Sequence, residues 1–337
     1  MNRKKETAFL CLLLFAAMFL IPFLAMGGKA PEQPNAQFSS AASVPAPSQT
    51  AAESGSSFRI LDTSQNRVIT VDDRDFLYGT VAVELSPEAG AEALKAQAVA
   101  AYTYYGRLRE QQRAKPSSGQ NGADFSADTK NWNGYVSKEQ MKEKWKDSFD
   151  TNYAAITSAV DAVFGQVLKY RGELIDATYF AISSGNTEAS KDVWGGSLPY
   201  LVSVASPGDI FAGGYRTEVT LTEEQFRAAV RETAPKADLG TDTNLWIGAV
   251  ERSSAGAVKT VAVGGQKLTG NQARSAFGLR SANFTVTHAD GKFTFDVKGY
   301  GHGVGMSQVG AESMAKEGAD YRRILSWYYP GTELTHL

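Results

Sequence analysis

The sequence predicts an α+β fold, and three observations carry that reading. Segments with strand-like alternation and segments with helical periodicity are interspersed without a regular βαβ repeat. A long stretch from Glu92 to about Gln112 is dense in alanine and keeps apolar residues at helical spacing. Several short alternating runs end at turn residues, Asp290-Gly291 being the clearest case. The chain has 337 residues, which is room for one large domain or two.

Taken in order, Phe58–Leu61 and Val68–Val71 read as strands around a Ser64-Gln65-Asn66 turn. Asp72 or Asp73 caps a helix through Phe76, Leu77, Val81 and Leu85. Ser86-Pro87-Glu88 ends it and opens the next helix, with Pro87 in its first turn. Leu94, Ala98, Ala101, Tyr105 and Leu108 mark one apolar face of that second helix. Lys115–Asn133 is polar and Gly-rich and reads as a long loop. Helices are expected over Lys138–Lys146, solvated, and Asp150–Ala162, with Tyr153, Ile156 and Val160 inward. Strands follow at Val167–Tyr170, Leu174–Ile182 and Tyr200–Val204.

Tyr215–Leu221 reads as a strand, and Thr222-x-x-Gln225 as a capping box. Ile247–Val263 reads as a hairpin, Thr269–Phe277 as a short helix, and Phe284–His288 with Lys292–Val297 as a second hairpin. A Gly-rich loop, Gly299–Gly305, precedes helices over Ser307–Lys316 and Tyr321–Tyr328.

Composition excludes several functions. With 34 Lys+Arg against 36 Asp+Glu and no basic block, nothing favours nucleic acid as a partner. The one cysteine, Cys11, lies in the apolar N-terminal run, so the remainder has no disulfide, thiolate ligand or thiolate nucleophile. That run, Ala8–Met26, holds 19 uncharged residues. At a helical rise it spans roughly 28 Å, close to a hydrocarbon core. Arg3, Lys4 and Lys5 precede it, which puts residues 1–7 in the cytoplasm and all that follows outside. Met26-Gly27-Gly28-Lys29-Ala30 is a poor small-x-small cleavage site, so the reading is an uncleaved single-pass anchor rather than a signal peptide. Residues 27–57 are Ala, Ser, Pro, Gln and Gly with little to bury, and read as a disordered tether.

The chemistry starts at Glu84. It stands between Val83 and Leu85 just before the Ser86-Pro87 break. An ordinary glutamate there is a surface or capping carboxylate. One in a partly dry place has a raised pKa, which suits a general acid. Lys95 and Gln97 interrupt the alanine-rich helix. Lys95 flanks the apolar face, where a solvated lysine and a cation steadying Glu84 are both open. Gly299-Tyr300-Gly301-His302-Gly303-Val304-Gly305 crowds glycines around a histidine, so the backbone turns tightly or approaches something closely. It lacks the Lys-Ser/Thr ending of a phosphate loop. Ser307 and His302 have no third orienting residue for a nucleophile pair, and Ser307 fits better as a helix N-cap. The histidines 288, 302 and 336 are far apart and have no cysteine to join them, which argues against zinc. Trp132, Trp194, Tyr200, Trp327, Tyr328 and Tyr329 are mostly core, while any near a cleft would stack on sugar faces.

Three runs carry a resemblance. They are Val81–Glu84 with Glu92–Ala101, Gly301–Gln308 with Gly310-Ala311, and Ile324-Leu325 with Tyr328–Thr332. Together they resemble the stage II sporulation protein D family and its relative, the amidase-enhancer domain, over nearly all of residues 58–337. The resemblance implies two packed lobes with a cleft and a lytic transglycosylase that cuts peptide-free peptidoglycan strands between MurNAc and GlcNAc. The setting it implies is septal wall remodelling during sporulation engulfment. In the family the residue matching Glu84 is the acid/base. Those matching Lys95 and Gln97 lie at the cleft, and Ser183, Ser184, Tyr200, Asp209, His302 and Gln308 match further cleft positions. The implied partners are the glycan strands, a cell-wall amidase or endopeptidase, and membrane proteins of the engulfment machinery, with no cofactor. The alternative reading is a non-catalytic wall-binding module that recruits or stimulates an amidase. Two departures stand out. Tyr102 takes the place of a family arginine, so any charge it supplied must come from elsewhere. Asp128–Tyr135 has neither Cys nor His where some members hold zinc, so no metal is carried over.

Overall fold

A computed structural model describes residues 56–337. The expected tail, the anchor and all but the last two residues of the tether lie outside the described residues; Ser57 already belongs to the first strand. Among the described residues no helix is long and apolar enough to cross a membrane. The chain begins β1 (Ser57–Asp62), β2 (Arg67–Asp72), α1 (Asp73–Glu84), α2 (Ala91–Ala114), β3 (Phe125–Ala127), α3 (Lys138–Trp145) and α4 (Phe149–Val163). It continues β4 (Gln166–Tyr170), β5 (Glu173–Leu174), β6 (Tyr179–Phe180) and a single turn, α5 (Ser190–Val193). A second group follows: β7 (Arg216–Thr222), α6 (Glu223–Thr233), β8 (Ile247–Arg252), β9 (Val258–Val263), β10 (Gln266–Thr269), α7 (Gly270–Ala276), β11 (Phe284–Ala289) and β12 (Lys292–Lys298). The chain closes with β13 (Met306–Ser307), α8 (Gln308–Lys316), α9 (Tyr321–Tyr328) and β14 (Glu333–His336).

Among the described residues the strands form five small sheets, ordered β2-β1-β3, β14-β4-β5, β13-β6, β11-β12-β7 and β10-β9-β8. Among the described strands only β1/β3 and β6/β13 pair in parallel, with an isolated parallel bridge between Glu188 and Val304 besides. Mixed helix and sheet with no βαβ layering is the α+β class that the sequence predicts.

Buried side chains fall into two clusters. The first gathers around α2, which is buried from Ala93 to Gly106 on nearly every side. A single apolar face was expected from its spacing. Its alanines bring α1, α4, α8 and α9 close instead, and a helix apolar all round belongs inside a core. The second cluster is aromatic and lies wholly within the second group of elements. Phe226 stacks on Phe293 at 4.2 Å and on Phe277 at 4.7 Å, with Trp246 at 5.9 Å. This unit is an insertion in the first. Arg216 opposes Lys298 across β7 and β12, and Gly299 N–H donates to the Tyr215 carbonyl at 2.7 Å, so the chain enters and leaves side by side.

Local signals place most elements well. Asp72 caps α1, and capping boxes open α3, α6 and α7. Asp290 and Gly291 both hold positive φ in the β11/β12 turn. Four expectations are corrected. Pro87 lies outside α2, which starts at Ala91 after Gly90 at φ 91°. The Lys115–Asn133 loop contains β3, whose partner β1 is more than sixty residues earlier. The run Leu174–Ile182 is not one strand, because Thr178 N–H turns back to the Asp176 carbonyl at 2.8 Å. Tyr200–Val204 is irregular, since Val204 N–H donates to the Thr187 hydroxyl at 2.9 Å rather than to a strand.

α8 docks without clearance. A Cβ on Gly310 would lie 2.0 Å from the Tyr328 hydroxyl and 2.2 Å from Ser206 Oγ. Gly310→Ala is expected to destabilise by about 1–3 kcal/mol. The urea midpoint should fall at unchanged slope, while Gly119→Ala, where a Cβ meets nothing, should stay within about 0.5 kcal/mol of the parent.

Candidate active site

The site begins where α1 ends. Pro87 disfavours helical backbone at Ser86, and Leu85 turns extended at φ −136°, so Glu84 is the last helical residue. A carboxylate there faces the negative end of the helix dipole. Glu84 is half-buried at the surface of the fold, but its carboxyl lies deep. Burial pushes its pKa up to about 7 against a lowering hydrogen bond from Gln308. At neutral pH it can give a proton and take one back.

Two amides hold it. Gln308 Nε2 donates to Glu84 Oε2 at 3.2 Å and to Gln97 Oε1 at 3.5 Å. Gln97 is fully buried, and its own Nε2 has no partner among the described residues, which leaves a buried amide donor beside the carboxyl. Gln308 opens α8, and its position follows from the preceding residue. Ser307 Oγ accepts Gly310 N–H at 3.2 Å as the N-cap and donates to Asp209 at 2.6 Å. With its hydroxyl so engaged and fully buried, Ser307 is no nucleophile for His302.

Three tyrosines lie within reach of the Glu84 charge. Tyr104, Tyr105 and Tyr179 have phenol pKas raised by burial first and by the Glu84 charge as well. Asp176 is a second half-buried carboxyl in this neighbourhood; burial raises its pKa, and its charge also acts on Tyr104. Sequence reasoning passed over Asp176 and Tyr179 because Leu174–Ile182 looked like one core strand. Their signal was two polar residues spaced three apart inside an apolar run.

The other expected residues divide. His302 lies one strand away, its ring 5.6 Å from Phe180 and 5.3 Å from Trp194. Its Nδ1 accepts Val304 N–H at 3.2 Å, and burial with the nearby Arg274 charge pushes its pKa down to about 4, so the ring is neutral. Ser184 lies with His302 along a cavity between the two cores. Ser183 lines the same cavity but donates its hydroxyl to Asp209 at 2.7 Å, and Asp209 is itself fully buried. Asp209 is therefore a brace under the loops, not a cleft carboxylate. Tyr200 is buried, its hydroxyl accepting Asp176 N–H at 3.2 Å.

Lys95 does not steady Glu84. Two residues along a helix is about 200° of rotation from Gln97. Its ammonium pairs with Glu92 at 2.6 Å and lies 5.9 Å from the Tyr321 ring centre. The missing arginine also proves remote. Tyr102 donates to Asp73 at 2.8 Å, and Arg109 supplies the cation to that same carboxylate at 2.8 Å. Asp73 opens α1 and Glu84 closes it, a helix axis of roughly 16 Å between them.

The first core closes over the raised carboxyl of Glu84, which takes a hydrogen bond from Gln308 at the start of α8, in an α+β protein with a second, separate core. The family model described as Stage II sporulation protein matches residues 62–170. Stage II sporulation protein D of Bacillus amyloliquefaciens is 35% identical over 288 residues, 85% of this chain and 80% of the relative. That of Bacillus subtilis (strain 168) is 34% identical over 280 residues, 83% and 79% of the two chains. The amidase enhancer of the same Bacillus subtilis strain is 30% identical over 310 residues, 77% of this chain but 40% of the relative. The chain belongs to the stage II sporulation protein D family.

The raised pKa has a thermodynamic consequence. Between its ordinary value of 4.5 and about 7, Glu84 keeps a proton in the folded state that the unfolded chain releases. Stability attributable to this group therefore falls as pH rises across that window. Glu84→Gln should melt with the wild type near pH 4 and about 5–10 °C above it at pH 8. Coincident melting curves at both pH values would show an unperturbed carboxyl.

Proposed function

We propose that this protein is a membrane-anchored lytic transglycosylase of peptide-free peptidoglycan strands, acting in wall remodelling during sporulation. The observation that carries the reading is the Glu84 carboxyl, raised to about 7 and held by Gln308. Family membership supplies the setting, and the uncharged Ala8–Met26 run supplies the anchor.

The chemistry needs only one acid/base group, because the attacking group is the substrate's own 6-hydroxyl. Protonated Glu84 donates to the glycosidic oxygen between MurNAc and GlcNAc. The C1–O bond breaks, and GlcNAc leaves as an alcohol. Positive charge on the MurNAc ring is met by the Glu84 carboxylate just formed. That carboxylate takes the 6-hydroxyl proton, O6 bonds to C1, and a 1,6-anhydro ring closes with Glu84 reprotonated. Intramolecular attack gains from proximity, and a deep carboxyl favours it over attack by water. Usual glycosidases add a second carboxylate to activate water or to serve as nucleophile.

A second reading rests on the likeness to the amidase enhancer: a wall-binding module that stimulates an amidase without cutting glycan. Digestion of denuded strands by the full chain, read by mass spectrometry, separates the two. The enzyme yields 1,6-anhydro ends, and Glu84→Gln lowers the rate by about 10²–10⁴, the usual worth of a general acid. The rate should also fall above pH 7 as Glu84 loses its proton. Binding without anhydro product would favour the stimulating module.

A further inference from the structure

The two cores meet along a polar seam. Their buried clusters have no residue in common, and a cavity of about 370 Å³ lies between them. Glu84, Gln97 and Gln308 do not line that cavity. The chain crosses between the cores at two neighbouring points, entering the second at Tyr215 and leaving it at Gly299. Glycines stand at both crossings, Gly214 at φ 81° and Gly299 at φ 80°, where the backbone takes a left-handed turn. Contacts keep this edge together. Arg280 of the second core lies over the Tyr300 ring at 4.1 Å, and its carbonyl accepts Gly301 N–H at 3.0 Å. The Tyr215 hydroxyl donates to the Ser184 carbonyl at 3.2 Å.

Away from the crossings the cores are joined sparsely. Asp192 on α5 meets Lys259 on β9 at 3.2 Å, and Lys259 also meets Glu251 of its own sheet at 3.4 Å. The Lys259 side chain is 33% exposed, and ion pairs so open to solvent hold little. Glu188 is fixed in the first core, where its N–H donates to the Gly303 carbonyl at 2.7 Å. Its Oε1 reaches across the seam to accept Ala257 N–H at 3.1 Å, while Oε2 has no hydrogen-bond partner among the described residues. The Ser184 hydroxyl stands 3.5 Å from the Ala255 carbonyl, the outer limit of a hydrogen bond. Lysines stand on both walls of the cavity, Lys191 on the first and Lys259 and Lys298 on the second, so like charges oppose one another across it. A seam with no shared apolar cluster, closed by an open ion pair and one buried hydrogen bond, is one along which two bodies move.

We propose that the second core is a hinged cover. It swings on the crossings at Gly214 and Gly299, and its latch is the Lys259–Asp192 pair with the Glu188–Ala257 hydrogen bond. Opening draws β9 and the turn before it away from α5 and Glu188 and leaves both buried clusters intact. Glu84 and Gln308 lie on elements of the first core, so the motion changes access to the cavity and not the hydrogen bond on the acid. The hinge does not depend on the chemistry proposed for Glu84.

Two spin labels in the full chain test it. In a Cys11→Ser background they are placed at Ser203→Cys on the first core and Ser275→Cys on the second, both exposed positions. Double electron–electron resonance reads the distances between them. A main distance and a longer, minor one are expected. Lys259→Ala should raise the longer population by about threefold or more, and Glu188→Ala should raise it as well. Near-UV circular dichroism reports the stack of Phe226, Trp246 and Phe293 inside the second core and should stay unchanged in both variants. A distribution that neither substitution moves would overturn the hinge. So would a longer distance that appears only together with loss of the near-UV signal, because that is unfolding of the second core and not its swing.

Discussion

Asp209 is fully buried, and its two oxygens take hydroxyl protons from Ser183 at 2.7 Å and Ser307 at 2.6 Å. No described cation pairs with it. Burial raises its pKa while the serine hydroxyls oppose that shift. Such a group is costly unless it is fully hydrogen-bonded, so it persists only with its serines in place. Much else depends on this brace. Ser307 caps α8, α8 begins at Gln308, and Gln308 meets Glu84. Ser183 opens the loop that lines the inter-core cavity. The Ser206 hydroxyl joins Tyr328 at 2.6 Å and ties α9 to the same point.

Glu84 is a balance of opposing terms. Desolvation and the C-terminal end of α1 disfavour its charge; one amide hydrogen bond favours it. The resulting pKa near 7 requires a dry shell that cannot be rearranged by water. Tyr104, Tyr105 and Tyr179 lie close enough to feel the Glu84 charge. At the far end of α1, Asp73 takes Arg109 and Tyr102 and locks α1 against α2. The family arginine position thus belongs to the frame, not to the acid.

Legibility in the sequence followed the range of the interactions. The capping box at Thr222, the helix start at Thr269, the Asp290-Gly291 turn and the Ser307 cap were readable because each is settled within four residues. β3, the break at Asp176 and the irregular Tyr200–Val204 segment were not. Each depends on a partner far along the chain or on a side chain that takes over a backbone bond. The site shows the same division. Glu84 stood out by its place at a helix end, and Gln97 by interrupting alanines. Lys95 looked equivalent to Gln97, yet helical rotation sends it to Glu92 and Tyr321. Asp209 matched a cleft position and became a brace, because burial among serines is invisible in one dimension.

By itself, the sequence determined the class of fold, the helix that the Ser86-Pro87 break ends just after Glu84, the tight Gly-His-Gly approach and the cap that starts α8. These are choices of φ and ψ, of capping donors and of periodicity, made among near neighbours. Only the tertiary structure decided that Gln308, 224 residues after Glu84, supplies its hydrogen bond, and that Trp194 fronts a cavity closed by an inserted second core. Desolvation is a property of the whole packed shell, so the proton affinity of Glu84 could be set only once both ends of the chain had folded around it.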